Sequence, residues 1–285
     1  MLKKIDLHTH STCSDGTVTP SGLVTMAKEI GLSAIALTDH DTIAGVSELM
    51  EAGATAGLET IPGIELSSSY GTTQEKEIHI VGLFIDYHNQ EFIDALDHLQ
   101  AIRRERNIKM VALCQQHGFA FTYDEMLSRY KESVITRAHF ADMMMEKGYV
   151  KSRNEAFERY IGDYGPCFLP RIKMSCQETI SLIKKAGGLA ILAHPTLYHM
   201  GKTELRKLIE FLIASGLDGI ECIYSTYTMG EELMIRGLAK EYGLLLSGGS
   251  DYHGANKPHI SLGSGKGHLC VPYDYLTDLK NAAGL

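Results

Sequence analysis

Short apolar runs recur along the chain, and most are followed by a stretch with the spacing of an amphipathic helix. The run 33–38 is apolar with little alternation, as expected of a parallel strand covered on both faces. Seven strands are predicted, at 3–7, 33–38, 60–66, 77–85, 188–193, 218–223 and 243–247. Five helices are predicted between them, at 21–30, 42–57, 177–186, 203–215 and 229–242. This alternation predicts an α/β fold, either a parallel barrel or a doubly wound sheet.

The alternation breaks once, between residues 91 and 178. This segment has a helical pattern with no convincing strand, and its first amphipathic stretch runs from Ile93 to about Gln116, where Gly118 ends it. It holds 13 basic and 13 acidic residues, so the net charge of −8 lies entirely in the remainder of the chain. We therefore predict a main domain formed by residues 1–90 and 179–285, and a helical insertion at 91–178.

The composition excludes several classes of protein. The 285 residues are 44% hydrophobic and 22% charged, as in an ordinary globular protein. No apolar run approaches the roughly 20 residues that span a bilayer, and no apolar stretch follows the charges near Met1, so we expect no membrane helix and no signal peptide. The acidic balance argues against a broad nucleic-acid-binding surface. Six widely spaced cysteines without a C-x-x-C pair favour reduced thiols and a cytoplasmic location.

Six of the 13 histidines lie in the predicted strands or directly after them. In chain order, these are His8, His10, His40, His79, His194 and His253. Carboxylates accompany them, namely Asp15, Asp39, Glu65 and Asp251. A single histidine is more often a hydrogen-bonded core or surface residue than a ligand. Six of them at strand ends, with acids beside them, favour a metal site.

The carboxyl ends of the strands in an α/β barrel meet at one face, which would bring these side chains together. His8 and His10 are two residues apart, so both rings would point to the same side of an extended strand. A buried cluster of imidazoles and carboxylates without a cation would leave charges poorly compensated. We therefore expect divalent metal ions, and mixed nitrogen and oxygen ligation suits manganese, iron(II) or zinc.

Four motifs occur in a fixed order: Asp6-Leu-His-Thr-His-Ser-Thr-Cys-Ser-Asp-Gly, Leu37-Thr-Asp-His-Asp-Thr, Pro62-Gly-Ile-Glu and Ser250-Asp-Tyr-His. Together they resemble the polymerase and histidinol phosphatase (PHP) family of metal-dependent phosphoesterases, along nearly the whole chain. The resemblance implies a distorted (β/α)7 barrel with an inserted helical subdomain. Thr136-Arg-Ala-His-Phe-Ala and Ala193-His-Pro resemble the branch that removes a phosphate from 3′,5′-bisphosphonucleosides. Some members of this branch also shorten small RNAs from the 5′ end.

The resemblance also implies a trinuclear metal site in which every ligand position is filled. The first metal would take His8, His10, Glu65 and Asp251. The second would share Glu65 and add His79 and His194, and the third would take Asp15, His40 and His253. Three divalent ions are therefore expected, with manganese favoured over iron(II) and zinc. The complete ligand set argues against a degenerate, non-catalytic relative.

Asp39, His40 and Glu65 are the candidate catalytic residues. We expect a hydroxide that bridges the two metals sharing Glu65 to attack phosphorus in line with the leaving ribose oxygen, while the third metal holds a non-bridging oxygen. Asp39 is expected to orient an imidazole. The alternative for Asp39 is a helix N-cap before Thr42.

Arg137 and His139 are the candidate substrate-binding residues. Arginine makes bidentate contacts with phosphate, and a histidine can donate a second hydrogen bond. Both begin an apolar helix-like stretch, whose N-terminus favours anions. The alternatives are a solvated arginine and a histidine satisfied within the fold. Four further cations are weaker candidates, because a solvated helix face explains each of them: Arg103, Arg106, Arg171 and Lys173.

The resemblance therefore implies a metal-dependent phosphoric ester hydrolase that removes the 3′-phosphate of 3′,5′-bisphosphonucleosides. Its substrate would be a small phosphorylated nucleotide, with short RNA as a further candidate, and the insertion would contribute to binding. One alternative is a histidinol-phosphate phosphatase of the same fold, against which the long insertion and Thr136-Arg-Ala-His argue. The other is a non-catalytic metal-binding module, like the one associated with bacterial replicative polymerases.

Overall fold

A computed structural model describes residues 3–71, 75–130 and 133–285, and nine strands in these residues form one mixed sheet. The strands are β1 (Lys4–Asp6), β2 (Ala34–Leu37), β3 (Glu59–Tyr70), β4 (Lys76–Leu83), β5 (Met174–Ser175), β6 (Leu189–Leu192), β7 (Gly219–Tyr224), β8 (Leu245–Gly249) and β9 (Val271–Pro272). Their order is β8-β7-β6-β4-β3-β2-β1-β9, with β5 beside β3. The Leu7 amide donates to the Gly248 carbonyl at 3.2 Å, so β1 approaches β8 and the sheet nearly closes. The predicted α/β fold, a distorted barrel, is confirmed.

The described residues contain ten α-helices. They are α1 (Pro20–Glu29), α2 (Val46–Ala56), α3 (Gln90–Gln116), α4 (Tyr123–Arg129), α5 (Arg137–Glu146), α6 (Arg153–Ala156), α7 (Cys176–Lys185), α8 (Lys202–Ala214), α9 (Met229–Tyr242) and α10 (Tyr273–Ala283). Local sequence explains where they begin. Thr19 caps α1 by accepting a hydrogen bond from the Gly22 amide, and Pro20 occupies the first helical position, where no backbone donor is needed.

The chain divides into two compact units. The first combines Met1–Ile93 with Lys173–Leu285 and contains the sheet, and the second is Asp94–Ile172. The core of the first unit includes Leu23 on α1, Leu37 on β2 and Leu49 on α2, all fully buried. The second unit has its own core, which includes Met110 on α3 and Phe140 on α5. No helix in the described part of the chain is long and apolar enough to cross a membrane.

The fourth strand runs against the predicted parallel direction. β4 is antiparallel to both β3 and β6, whereas β1, β2 and β3 pair in parallel, as do β6, β7 and β8. The physical reason is the short connection between β3 and β4, since a parallel pair requires a crossover of a dozen or more residues. Because of this reversal, the first residues of β4 lie at the edge where the parallel strands end, and His79 is among them.

Two predictions about individual elements are wrong. The segment 91–178 was expected to contain no strand, but Met174 and Ser175 form β5 and pair in parallel with Ser68 and Ser69 of β3. Two residues are too few to give a periodic signal in the sequence. The helix predicted at 42–57 begins at Val46, because residues 38–41 continue along β3 before the chain turns.

Candidate metal centre

The end of β1 positions two imidazoles on the same side of the chain. The backbone amide of Thr9 donates to the Thr38 hydroxyl at 3.1 Å, and Thr9 pairs with Tyr252 in a parallel bridge. His8 and His10, on either side of Thr9, therefore project together into the barrel end, where both are buried. Their ring centres are 5.2 Å apart.

Glu65, on β3, lies in the middle of the cluster. Its backbone pairs with the segment after β2, since the Glu65 amide donates to the Asp39 carbonyl at 3.1 Å. Oε1 of Glu65 lies 2.8 Å from Nδ1 of His79 and 2.9 Å from Nε2 of His194. Oε2 lies 3.1 Å from Nδ1 of His40 and 3.3 Å from both imidazoles of the β1 end. One carboxylate thus faces five imidazoles.

Two further carboxylates lie beside Glu65 and converge on His253. Oδ1 of Asp251 is 3.2 Å from Nε2 of His10 and 3.3 Å from Nδ1 of His253. Oδ1 of Asp15 is 3.2 Å from Nε2 of His253, and its Oδ2 is 3.9 Å from Nε2 of His40. Segments that are far apart in the sequence therefore meet at one end of the barrel.

The donor atoms form four overlapping groups, within each of which the ligand atoms lie within 4.8 Å of one another. The groups are His10, Asp15, His40 and His253; His8, Glu65 and His194; His8, His10 and Asp251; and His40, Glu65 and His79. Six imidazoles and three carboxylates take part. All nine residues predicted as ligands are thus brought together, and His8, His10, His40 and Glu65 each belong to two of the groups.

Several buried ligand atoms of this cluster make no hydrogen bond to any described residue, although some of them lie close together. They are Nε2 of His8, both ring nitrogens of His10, Nδ1 of His40, Nδ1 of His194 and Oε2 of Glu65. Buried polar atoms without partners are costly. Imidazole nitrogen and carboxylate oxygen are together suitable ligands for divalent manganese, iron or zinc. The residues present therefore fit divalent metal ions.

The positive groups of the cluster lower the pKa values of its carboxyl groups. Burial by itself raises the pKa of each carboxyl group, but the facing imidazoles outweigh burial and hold the pKa values of Asp15 and Glu65 well below their usual range. The pKa of Asp251 is likewise held well below its usual range, because Lys257 and His253 outweigh its burial. All three groups are therefore carboxylates at neutral pH.

The pKa of each imidazole depends on its burial and on the carboxylates that face it. Burial lowers the pKa of His10, but Asp251 and Glu65 outweigh it and raise that pKa to about 9. In the same way Glu65 and Glu77 raise the pKa of His79 to about 10. Burial prevails at His40 and lowers its pKa to about 4. Protons on His10 and His79 thus partly compensate the carboxylates.

The family model of the PHP domain matches residues 6–174, which is more than half of the chain. The chain belongs to the PHP domain family. The predicted family is therefore confirmed, and the donor cluster occupies the barrel end at which the PHP motifs converge.

Relatives of similar length support the assignment. A 5′-3′ exoribonuclease from Haemophilus influenzae is 37% identical over 253 residues, covering 89% of this chain and 91% of its own. A 3′,5′-nucleoside bisphosphate phosphatase from Chromobacterium violaceum is 33% identical over 88% of both chains. A structure from Bifidobacterium adolescentis, described as a metal-dependent phosphoesterase, has a TM-score of 0.86 at 29% identity and covers 99% of this chain and 97% of its own. This PHP protein is a metal-dependent phosphoesterase, and thus a hydrolase.

Asp39 was predicted to orient an imidazole, but its side chain accepts hydrogen bonds from two serines. Its buried carboxylate accepts hydrogen bonds from the Ser11 amide at 2.7 Å, the Ser11 hydroxyl at 2.5 Å and the Ser14 hydroxyl at 2.5 Å. It does not cap a helix, because α2 begins at Val46. Asp39 therefore holds the loop that carries Asp15.

Arg137 and His139 lie in the second unit, in the first turn of α5. The Arg137 guanidinium pairs with the exposed carboxylate of Asp163 at 2.6 Å and lies 5.7 and 5.2 Å from the ring centres of Phe157 and Phe168. His139 is buried, and its Nδ1 accepts a hydrogen bond from the Thr136 amide at 2.9 Å as part of a capping box. Their contact with a substrate stays a prediction.

Three residues near the donor cluster were missed in the sequence. Tyr224 donates to Oδ2 of Asp251 at 2.5 Å, and the Lys257 ammonium reaches the same oxygen at 2.6 Å, which leaves Oδ1 toward the imidazoles. Glu221 is buried in β7 beside His8. For Glu221 a signal was present, since an acid inside an otherwise apolar strand needs a partner. Tyr224 and Lys257 gave none.

Proposed function

We propose that this PHP protein hydrolyses the 3′-phosphate of 3′,5′-bisphosphonucleosides and also shortens small oligoribonucleotides from the 5′ end. The observation that carries the proposal is the gathering of all nine predicted ligands in one cluster, seven of them buried and two half-buried. The relatives from C. violaceum and H. influenzae, with these two activities in their names, match about nine tenths of this chain. Such a match extends into the second unit.

The donor cluster would hold three divalent ions, with manganese favoured and iron(II) or zinc as alternatives. Divalent cations supply Lewis acidity, which offsets the charge of a phosphate ester and makes water a better nucleophile at neutral pH. Asp15, Glu65 and Asp251 contribute three negative charges, so the loaded centre is positive and suits an anionic substrate. Lys257 adds a further positive charge beside Asp251.

The protein's own residues divide the remaining work. Glu65 faces five imidazoles and belongs to two of the four ligand groups, and His40 lies between Glu65 and Asp15. Asp39 acts through the loop of Asp15 and not on the substrate. We place the protein in the cytoplasm, in agreement with its free cysteines.

Substrate recognition is assigned to the second unit, within the insertion predicted at 91–178. Arg137 carries the planar fork that binds phosphate oxygens in pairs. Asp163 is exposed, so a phosphate can replace it as the partner of Arg137 at low cost. An exposed ion pair contributes little to stability, about 0–1 kcal/mol. His139 supports this site by fixing the start of α5.

A comparison of phosphate release from two substrates tests the proposal. The protein is loaded with manganese and given adenosine 3′,5′-bisphosphate or histidinol phosphate under the same conditions. We expect clearly faster release from the bisphosphate, specifically of its 3′-phosphate. His40→Ala should abolish release, while its circular dichroism spectrum should stay that of the wild type.

Two results would contradict the proposal. Faster hydrolysis of histidinol phosphate would assign the protein to that activity. Metal binding without hydrolysis of any phosphoester would make it a non-catalytic module.

A further inference from the structure

Glu221 is a buried carboxylate that the predicted ligand set does not include. It lies in β7, in the sequence Gly-Ile-Glu-Cys-Ile-Tyr, and is only 3% exposed. A buried carboxylate is costly unless both of its oxygens are hydrogen-bonded. Its neighbours therefore indicate what it does.

Each oxygen of Glu221 binds a different residue of the donor cluster. Oε1 lies 3.1 Å from Nδ1 of His8, and Oε2 accepts a hydrogen bond from the backbone amide of His194 at 2.8 Å. His8 follows β1 and His194 follows β6, so one side chain on β7 connects the ends of two other strands.

The contact with His8 selects which ring nitrogen is available to a metal ion. A neutral imidazole carries one proton, and a carboxylate at Nδ1 keeps that proton on Nδ1. Nε2 then presents its lone pair. This is the atom that lies 3.3 Å from Oε2 of Glu65 and has no hydrogen-bond partner.

The contact with His194 holds an unusual backbone conformation. His194 has a φ of +28°, a region that residues other than glycine seldom adopt. This turn directs the ring toward Glu65, with Nε2 of His194 2.9 Å from Oε1. The hydrogen bond from the His194 amide to Glu221 helps to keep the turn in place.

We propose that Glu221 is a positioning residue of the metal centre, which holds His8 through its ring and His194 through its backbone. It touches neither the ions nor the substrate. This inference depends on metal binding alone, so it stands or fails independently of the proposed substrate.

The test is the affinity of Glu221→Gln for manganese, measured by competition with a chelating dye. A glutamine amide can accept from only one of the two donors, because its NH2 group faces the other. Loss of such an outer contact costs about 10- to 100-fold in metal affinity, and we expect a loss of that size for at least one ion. Glu232→Gln removes only a loose ion pair of 3.8 Å on α9 and should bind like the wild type. Wild-type affinity in Glu221→Gln would overturn the proposal.

A second measurement needs no substitution and separates positioning from a general effect on folding. The wild-type protein is labelled with 15N in its histidines, loaded with diamagnetic zinc and examined by NMR. We expect His8 to be protonated at Nδ1 and metal-bound at Nε2. The opposite tautomer, with the metal on Nδ1, would overturn the proposal, because Nδ1 could not then donate to Glu221.

Discussion

Gly249, the last residue of β8, packs directly on His8. A Cβ atom at Gly249 would lie 2.4 Å from the backbone nitrogen and 2.4 Å from the Cβ of His8. Both distances are about 1 Å shorter than ordinary van der Waals contact. The colliding atoms of His8 are its backbone nitrogen and its Cβ, and neither moves when the rotamer changes, so a new rotamer cannot relieve the overlap. Gly249→Ala must therefore move the end of β1.

The size of that movement decides its effect on metal binding. Restoring contact displaces His8 by about 1 Å, whereas ligand distances in a metal site hold to within about 0.2 Å. Overpacking a core position costs about 1–3 kcal/mol of folding stability. We expect Gly249→Ala to remain folded, with a lower melting temperature, and to lose at least one metal ion.

The assay combines thermal unfolding with metal analysis after dialysis against manganese. Gly237→Ala is the matched control. Gly237 lies within α9, and a Cβ there meets no atom within 4 Å apart from the neighbouring backbone of its own helix. Alanine should stabilise that helix by about 0.5–1 kcal/mol and leave the metal content unchanged. If Gly249→Ala kept full metal content and wild-type stability, the described packing of β8 on His8 would be refuted.

Three other predictions concern protons, a loop and the substrate. Because the pKa values of His10 and His79 are about 9 and about 10, chelator-treated protein must release protons to bind metal, and its metal affinity should rise from pH 7 to pH 9. Calorimetry in two buffers would detect the released protons, and a metal affinity that does not change with pH would contradict the electrostatics. Asp39→Asn removes a hydrogen-bond acceptor from the loop and should cost about 1–3 kcal/mol of folding stability, while excess manganese should restore its activity. A loss of activity that excess manganese cannot restore would indicate a direct catalytic role. Arg137→Met should raise the KM for the bisphosphate without changing metal content, and Asp163→Asn should lower it; unchanged KM values would remove Arg137 from the substrate site.

The sequence was sufficient for the alternation of strands and helices because buried parallel strands are apolar along their whole length. It did not reveal the direction of β4. That direction depends on the length of one connection, and the apolar pattern of a strand is the same in either direction. The short β5 and β9 also gave no signal, since two residues carry no period.

The donor cluster was accessible from the sequence for a related reason. Histidines and acids at strand ends are conspicuous, and barrel topology brings such ends together. Contacts made by single side chains were not accessible. Asp39 stands in a metal motif, yet it bonds to Ser11 and Ser14. His139 stands beside Arg137 but is buried and caps its own helix. Such details depend on rotamers and on where a helix begins.

Anomalous diffraction at the manganese absorption edge, from crystals grown with manganese, tests the central claim most directly. The account predicts strong peaks inside the donor cluster, bordered by Glu65 and the imidazoles that face it, with Asp15 and Asp251 among the ligands. A metal-loaded crystal with no peak in the cluster, or with peaks only elsewhere on the protein, would contradict it.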